Sequence, residues 1–168
     1  MSEIITENTT PEENTGTPQD GGGTGGNDTP SVVSTSKVNL AVEAVMDMID
    51  SMDNFAPIVR GALGIGDGLS CEIAPSYADS VFMDKNTYLA LTIAINGKHS
   101  DLQILSDTLN NIVDTLTRKT EYAEGDGWQI VDITNGNLPR IIGREDNNDW
   151  LMACDIVVKI YRKDDEAS

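Results

Sequence analysis

The side chains best suited to chemistry in this 168-residue chain are one histidine, His99, and two cysteines, Cys71 and Cys154. A lone histidine lacks the second ligand of a metal site and the nucleophile of a triad. General-base work is the one catalytic role left to it, and a loop hydrogen bond is the simpler assignment. Each cysteine sits inside an apolar, strand-like run, without CxxC spacing or the helix-start context that lowers a thiol pKa. They read as buried, reduced thiols of a protein folded in the cytosol, and the sequence leaves a disulfide between them open. Carboxylates number 28, so some pair must lie close by abundance alone, and no DxD or ExxH spacing puts two ligands on one element. The string Gly61-Ala62-Leu63-Gly64-Ile65-Gly66 invites a phosphate-loop reading. No Lys-Ser/Thr pair follows, no strand is predicted to lead in, and acidic residues stand nearby, so that reading fails. No catalytic residue, cofactor site or metal site is expected.

The net charge of −17 argues the same way about partners. The first 36 residues carry six carboxylates and no Lys or Arg, which leaves −11 for the rest of the chain. This sign repels nucleic acid and anionic membranes, and keeps subunits soluble and apart before assembly. The basic pairs Arg118-Lys119 and Arg162-Lys163 are too small to reverse it. No run approaches about 18 apolar residues and no cleavage pattern opens the chain, so a soluble protein without a secretion signal is expected.

The elements that must position any site begin after a disordered arm. Residues 1–36 are mostly Thr, Asn, Gly, Pro, Ser and acidic residues, with only scattered apolar ones (Ile4, Ile5, Val32, Val33) and the flexible run Gly21-Gly22-Gly23-Thr24-Gly25-Gly26. Such a segment buries too little apolar surface to offset about 1–2 kcal/mol of backbone entropy per residue. Residues 37–163 are the size of one domain, and 164–168 form a short disordered acidic tail.

Within the domain, Val38, Val42, Val45, Ile49 and Met52 recur at helical spacing and predict a first helix ending near Asp53. Residues 58–69 predict a short helix decaying into a glycine-rich turn. A short strand is expected over 70–75, an exposed connection over 76–86, and a central strand over Thr87–Ile95 that ends at Asn96-Gly97. Ser100 with Gln103 reads as a capping box for a second helix, which buries Leu102, Leu105, Leu109, Ile112, Val113 and Leu116. Strands follow over 128–133, 138–143 and 150–161. The last puts Trp150, Met152, Cys154, Ile156, Val158 and Ile160 on one face, and a polar turn at 144–149 precedes it. The fold class is α+β: a mainly antiparallel sheet of four to five strands, two main helices on one face, order α-β-β-α-β-β-β.

Three strings exceed generic strand-and-turn composition. They are Asn96-Gly97-Lys98-His99-Ser100, Gly125-Asp126-Gly127-Trp128-Gln129-Ile130, and Ile142-Gly143-Arg144-Glu145-Asp146-Asn147 followed closely by Trp150. In this order and spacing, over about Leu69–Arg162, the chain resembles the minor capsid protein family of siphophages infecting Gram-positive bacteria. That family's pattern is in turn similar to tail terminator, or tail-to-head joining, proteins. The resemblance implies a virion protein at the head-proximal end of the tail, assembled in the host cytoplasm. It would form a ring, a hexamer in such proteins, that contacts the tail-tube protein and the head–tail connector protein without turnover, cofactor, membrane or specific nucleic acid. The long glycine-rich arm departs from the short N-termini of that family. On this reading Arg144, Glu145, Asp146 and Trp150 form the first candidate contact surface. The 76–86 segment, with Tyr77 and Phe82, forms the second. Rival readings are another head–tail connector, head-completion or tail-tube protein, a small cytosolic ligand-binding or regulatory domain, and an acidic nucleic-acid mimic.

Overall fold

The computed structural model describes residues 36–163. The arm and tail expected over 1–36 and 164–168 lie outside them, except Ser36, which caps the first helix.

Helix α1 (Lys37–Asp50) starts where the Ser36 hydroxyl accepts the Asn39 N–H at 3.3 Å, and buries Ala41, Val42, Val45 and Ile49. Val38 and Met52, the ends of the expected stripe, are half-buried against the same core. The chain then departs from expectation. Residues 58–60 are a strand, β1 (Ile58–Arg60), parallel to β2 (Gly68–Ile73), and not the start of a helix. The Asp50 carboxylate at the end of α1 accepts the Ile58 N–H at 2.7 Å and holds the chain extended. The β-branched pair Ile58-Val59 suits that conformation. The segment expected as an exposed connection also contains a strand, β3 (Tyr77–Val81), bulged at Asp79 and antiparallel to β4 (Thr87–His99).

Strand β4 runs through Asn96-Gly97 instead of stopping there, pairing with β2 on one side and β7 (Trp150–Arg162) on the other. Gly97 serves packing, not a turn. A Cβ there would stand 2.6 Å from Leu105 Cδ1, so only glycine lets helix α2 (Leu102–Thr117) come this close to the sheet. The α2 N-cap is Asp101, whose carboxylate accepts the N–H groups of Gln103 and Ile104 at 2.8 and 3.3 Å. The expected capping box on Ser100 is displaced by one residue, because the carboxylate reaches two first-turn donors. The helix stripe is otherwise as read: Leu105, Leu109, Ile112, Val113 and Leu116 are buried, with Leu102 half-buried beside them. Full burial of each such side chain is worth about 1.5–3 kcal/mol.

A two-residue strand, β5 (Glu124–Gly125), turns through Asp126-Gly127 into β6 (Trp128–Arg144). Here two expected strands are one, seventeen residues long, bent by register shifts along its pairing with β7. The shift between Ile130 and Asp132 explains how Ile130 and Ile133, three apart, both face inward. Pro139 falls in a later shift, between Asn137 and Arg140, where the ladder spares it.

The sheet therefore has seven strands in the order β1-β2-β4-β7-β6-β5, with β3 beside the N-terminal half of β4. The α+β class holds, while the strand count and the order exceed the four to five strands read from sequence. The buried stripes of both helices share one hydrophobic cluster with Leu91, Ile93 and Ile95 of β4 and with Met152, Cys154, Ile156, Val158 and Ile160 of β7. The face predicted for β7 is the face observed, with Trp150 half-buried at its end. No helix among the described residues is long and apolar enough to cross a membrane.

Candidate partner-binding surfaces

The central β4–β7 ladder carries thirteen paired positions, from Thr87 with Arg162 to His99 with Trp150. At about 3.3 Å per residue it is roughly 40 Å long. The two surfaces singled out in the sequence lie at its opposite ends.

At the first end, β6 turns into β7 through residues 145–149. The Glu145 N–H donates to Asp149 O at 2.8 Å and the Asn148 N–H to Glu145 O at 2.9 Å. Asn148 takes a left-handed φ of 73°, which asparagine tolerates well. Arg144 Nε donates to Asn148 O at 3.0 Å, and its guanidinium lies 4.7 Å above the Trp150 ring. This stack is worth about 0.5–1 kcal/mol at an exposed site. It also presents a flat cation–aromatic plate at the edge of the turn. Glu145, Asp146 and Asn147 stay exposed, and an open cleft of about 470 Å³ lies against these three residues and Arg144. The structure thus brings Arg144, Glu145, Asp146 and Trp150 together.

Beneath this turn sits Lys98, a buried cation that sequence reading passed over. Its ammonium donates to Gly64 O at 2.7 Å and stands 3.5 Å from Glu145 Oε2. It ties the 61–67 loop to the turn. A strand, β1, does lead into that loop, contrary to expectation, but another strand, β2, follows it where a phosphate loop would open a helix. The loop offers Lys98 a carbonyl where a phosphate site would offer N–H groups. The β6 residue Ile142, with Leu63, Ser70, Asn96 and Leu151, lines a cavity of about 240 Å³ near the same end.

His99 is engaged locally. Its Nδ1 accepts the Asp101 N–H at 2.8 Å, which places the proton of the neutral ring on Nε2, 3.5 Å from Asp67 Oδ2. Phe55 packs edge-on to the ring at 4.8 Å between centroids. Cys71 and Cys154 are buried free thiols on strands flanking β4, each paired with Ile95. Two strand spacings, about 9.5 Å, separate their backbones, too far for a disulfide. Burial pushes the Cys154 thiol up to about 12 and raises that of Cys71. Among the described residues no group of three His, Cys, Asp or Glu is placed to hold a metal ion.

At the second end, the β3–β4 turn is closed by the Phe82 N–H to Asn86 O at 2.9 Å and the Lys85 N–H to Phe82 O at 3.0 Å. Phe82 meets Tyr88 edge-on at 5.6 Å, and Tyr88 meets Tyr161 at 5.4 Å. Lys159 lies 5.1 Å from the Tyr88 ring and 2.7 Å from the Asp79 carboxylate, whose hydrogen bond and charge raise the lysine pKa. Tyr77 and Phe82 are both exposed, with Val81 and Met83 beside them. Sequence reading named Tyr77 and Phe82 but missed Tyr88, Tyr161 and Lys159, which join them only through strand register. It also missed Leu138, Ile141 and Ile142, which stand exposed on the outer strand β6.

No family model matches the chain, and no curated protein matches it in sequence. The resemblance to the siphophage minor capsid family therefore rests on its motifs alone. Among solved structures the chain is similar to one from the virion of a native gene transfer agent particle, at 12% identity and a TM-score of 0.49. The match covers 76% of this chain and 99% of that one.

Proposed function

We propose that this chain is a structural protein of a long-tailed phage or phage-like virion, acting as a tail terminator. On this reading it works by contact, without turnover or cofactor, at the head-proximal end of the tail. The observation that supports the reading is that the two candidate surfaces lie at opposite ends of one thirteen-rung ladder. A joining protein needs one surface for the tail-tube protein and another for the head–tail connector protein. The Arg144–Trp150 plate with its acidic turn supplies one, and the Phe82–Tyr88–Tyr161 cluster with Tyr77 supplies the other. An acidic subunit in a ring through which DNA passes would not grip its cargo.

The test is electron microscopy of particles from a phage whose copy of this gene is deleted. Tails of unregulated length, detached from filled heads, are the expected result. Normal joined virions would remove the assignment. A particle with tails of normal length that fail to join heads would move the protein to the connector side. Arg144→Ala with Glu145→Ala is expected to reduce attachment of tails to heads, and full attachment would discard the first surface.

A further inference from the structure

Both long edges of the sheet are unpaired among the described residues, and they differ in chemistry. Beyond the short pairing with β5, and a bond from the Ile130 N–H to Ala123 O, β6 runs as an outer strand to Arg144. Its residues 133–144 include Arg140 and Arg144 and no acid, in a chain of net charge −17. The same stretch exposes Leu138, Ile141 and Ile142. The opposite edge is β3 with its turn. Residues 76–86 hold Asp79 and Asp84 with one cation, Lys85, in the turn, and expose Tyr77, Val81, Phe82 and Met83. An apolar, cationic edge on one side thus faces away from an apolar, anionic edge on the other.

Free strand edges with exposed apolar side chains invite association, and proteins that stay monomeric blunt them. Pro139 and the register shifts of β6 do prevent a continuous ladder along that edge. They leave its side chains as the recognising groups. The charges already have partners that do not exhaust them. Arg140 stands 3.7 Å from Asp155 with its side chain 56% exposed, and Asp79 meets Lys159 with its side chain 38% exposed.

We propose that the β6 edge of one copy docks against the β3 edge of a second copy, with Leu138, Ile141 and Ile142 against Tyr77, Val81 and Phe82, and the arginines toward the aspartates. The occupant is another copy of this chain because the charge complementarity is internal to it: residues 133–144 of β6 carry arginines and no acid, and β3 itself carries Asp79 and no Lys or Arg. Two different surfaces make the contact heterologous, so it propagates from copy to copy and closes only as a ring. The two edges also sit at different heights. Residues 137–140 of β6 pair with β7 opposite the far half of β4, whereas β3 pairs with its first four residues. Successive copies are therefore staggered along the strand direction, and strands in the closed ring tilt against its axis. The inference rests on the proposed ring, to which it assigns the contact between neighbours.

The experiment uses the full chain with Leu138→Cys and Val81→Cys, both at positions 65% exposed, and a short bismaleimide that links thiols. The native thiols are buried and do not compete. The double variant is expected to give a ladder of linked chains. A mixture of the two single variants should give linked pairs, and each single variant alone almost none. Single variants that link with themselves as well as with each other would show an isologous contact and overturn the proposal. Rings of unmodified protein seen by electron microscopy, without a ladder in the double variant, would overturn this contact and leave the ring reading standing. A protein that stays monomeric at every concentration and gives no ladder would overturn this contact, while the gene-deletion phenotype decides the ring reading separately.

Discussion

Replacing Gly97 with alanine tests the packing that fixes helix and sheet together, because two accounts of this glycine predict opposite signs. Were Gly97 an ordinary strand residue in open space, alanine would stabilise the fold by about 0.4–1 kcal/mol, by reducing the freedom of the unfolded chain. The structure leaves no such space. The new methyl would stand 2.6 Å from Leu105 Cδ1, 3.3 Å from Leu69 Cδ2 and 3.7 Å from Leu109 Cδ1. All three leucines are at most 1% exposed, so none can swing into solvent to relieve the clash. Overpacking of this kind costs about 1–3 kcal/mol, and subtracting the entropic gain leaves a destabilisation of about 0.5–2 kcal/mol. Urea unfolding should show the midpoint falling with an unchanged slope, because the surface exposed on unfolding is the same. A thermal scan should show a drop of about 3–6 °C for each kcal/mol lost. Shortening the obstructing side chain supplies the internal control. Leu105→Ala alone costs about 2–5 kcal/mol, and the Gly97→Ala, Leu105→Ala double variant should cost clearly less than the two singles summed. A neutral or stabilised Gly97→Ala variant, or strict additivity in that cycle, would refute the close approach of α2 to β4.

Asp101→Ala should cost about 0.5–2 kcal/mol in the same unfolding assay, and Ser100→Ala much less; the reverse ranking would restore the capping box read from sequence. Lys98→Met keeps the stem but strands Gly64 O and frees Glu145, so hydrogen exchange of the 61–67 amides should quicken, with a stability loss of about 1–3 kcal/mol; unchanged exchange would separate that loop from Lys98. Cys154 keeps its proton to about 12 when folded against 9.0 as its reference. The unfolded state therefore binds fewer protons above pH 9, and stability should fall there by up to about 1.4 kcal/mol per pH unit as the pH rises toward 12. Cys154→Ala should flatten that limb, and an equally steep limb in the variant would assign it elsewhere.

Where one periodicity ran unbroken, the sequence was legible. The stripes of α1 and α2 and the inward face of β7 follow directly from residues such as Val42, Leu109 and Ile156. Where local chemistry interrupted the period, it misled. Asn96-Gly97 carries a turn signal that the packing of Leu105 overrides. Ile130 and Ile133 break a two-residue alternation because a bulge turns the strand between them, and Pro139 hid the continuity of β6. Strands β1 and β3 were illegible for another reason: three and five residues long, they are too short to show a period, and they owe their conformation to pairing with Leu69–Cys71 and Thr87–Ala90. The candidate surfaces divide in the same way. The polar turn at 144–149 was visible, but the stack of Arg144 on Trp150 needs their cross-strand register, and Tyr88 meets Tyr161, 73 positions on, through theirs.

The β4–β7 ladder also has a mechanical consequence. The two strands run antiparallel, and each begins at the end where the other stops. The Phe82 turn leads into β4 at one end, and the acidic turn leads into β7 at the other. A pull applied between these turns slides the strands past each other, loading all thirteen rungs together in shear. A pull across the sheet, from β1 toward β5, would open them one at a time. The molecule is therefore stiff along the axis that joins its two end surfaces and compliant across it.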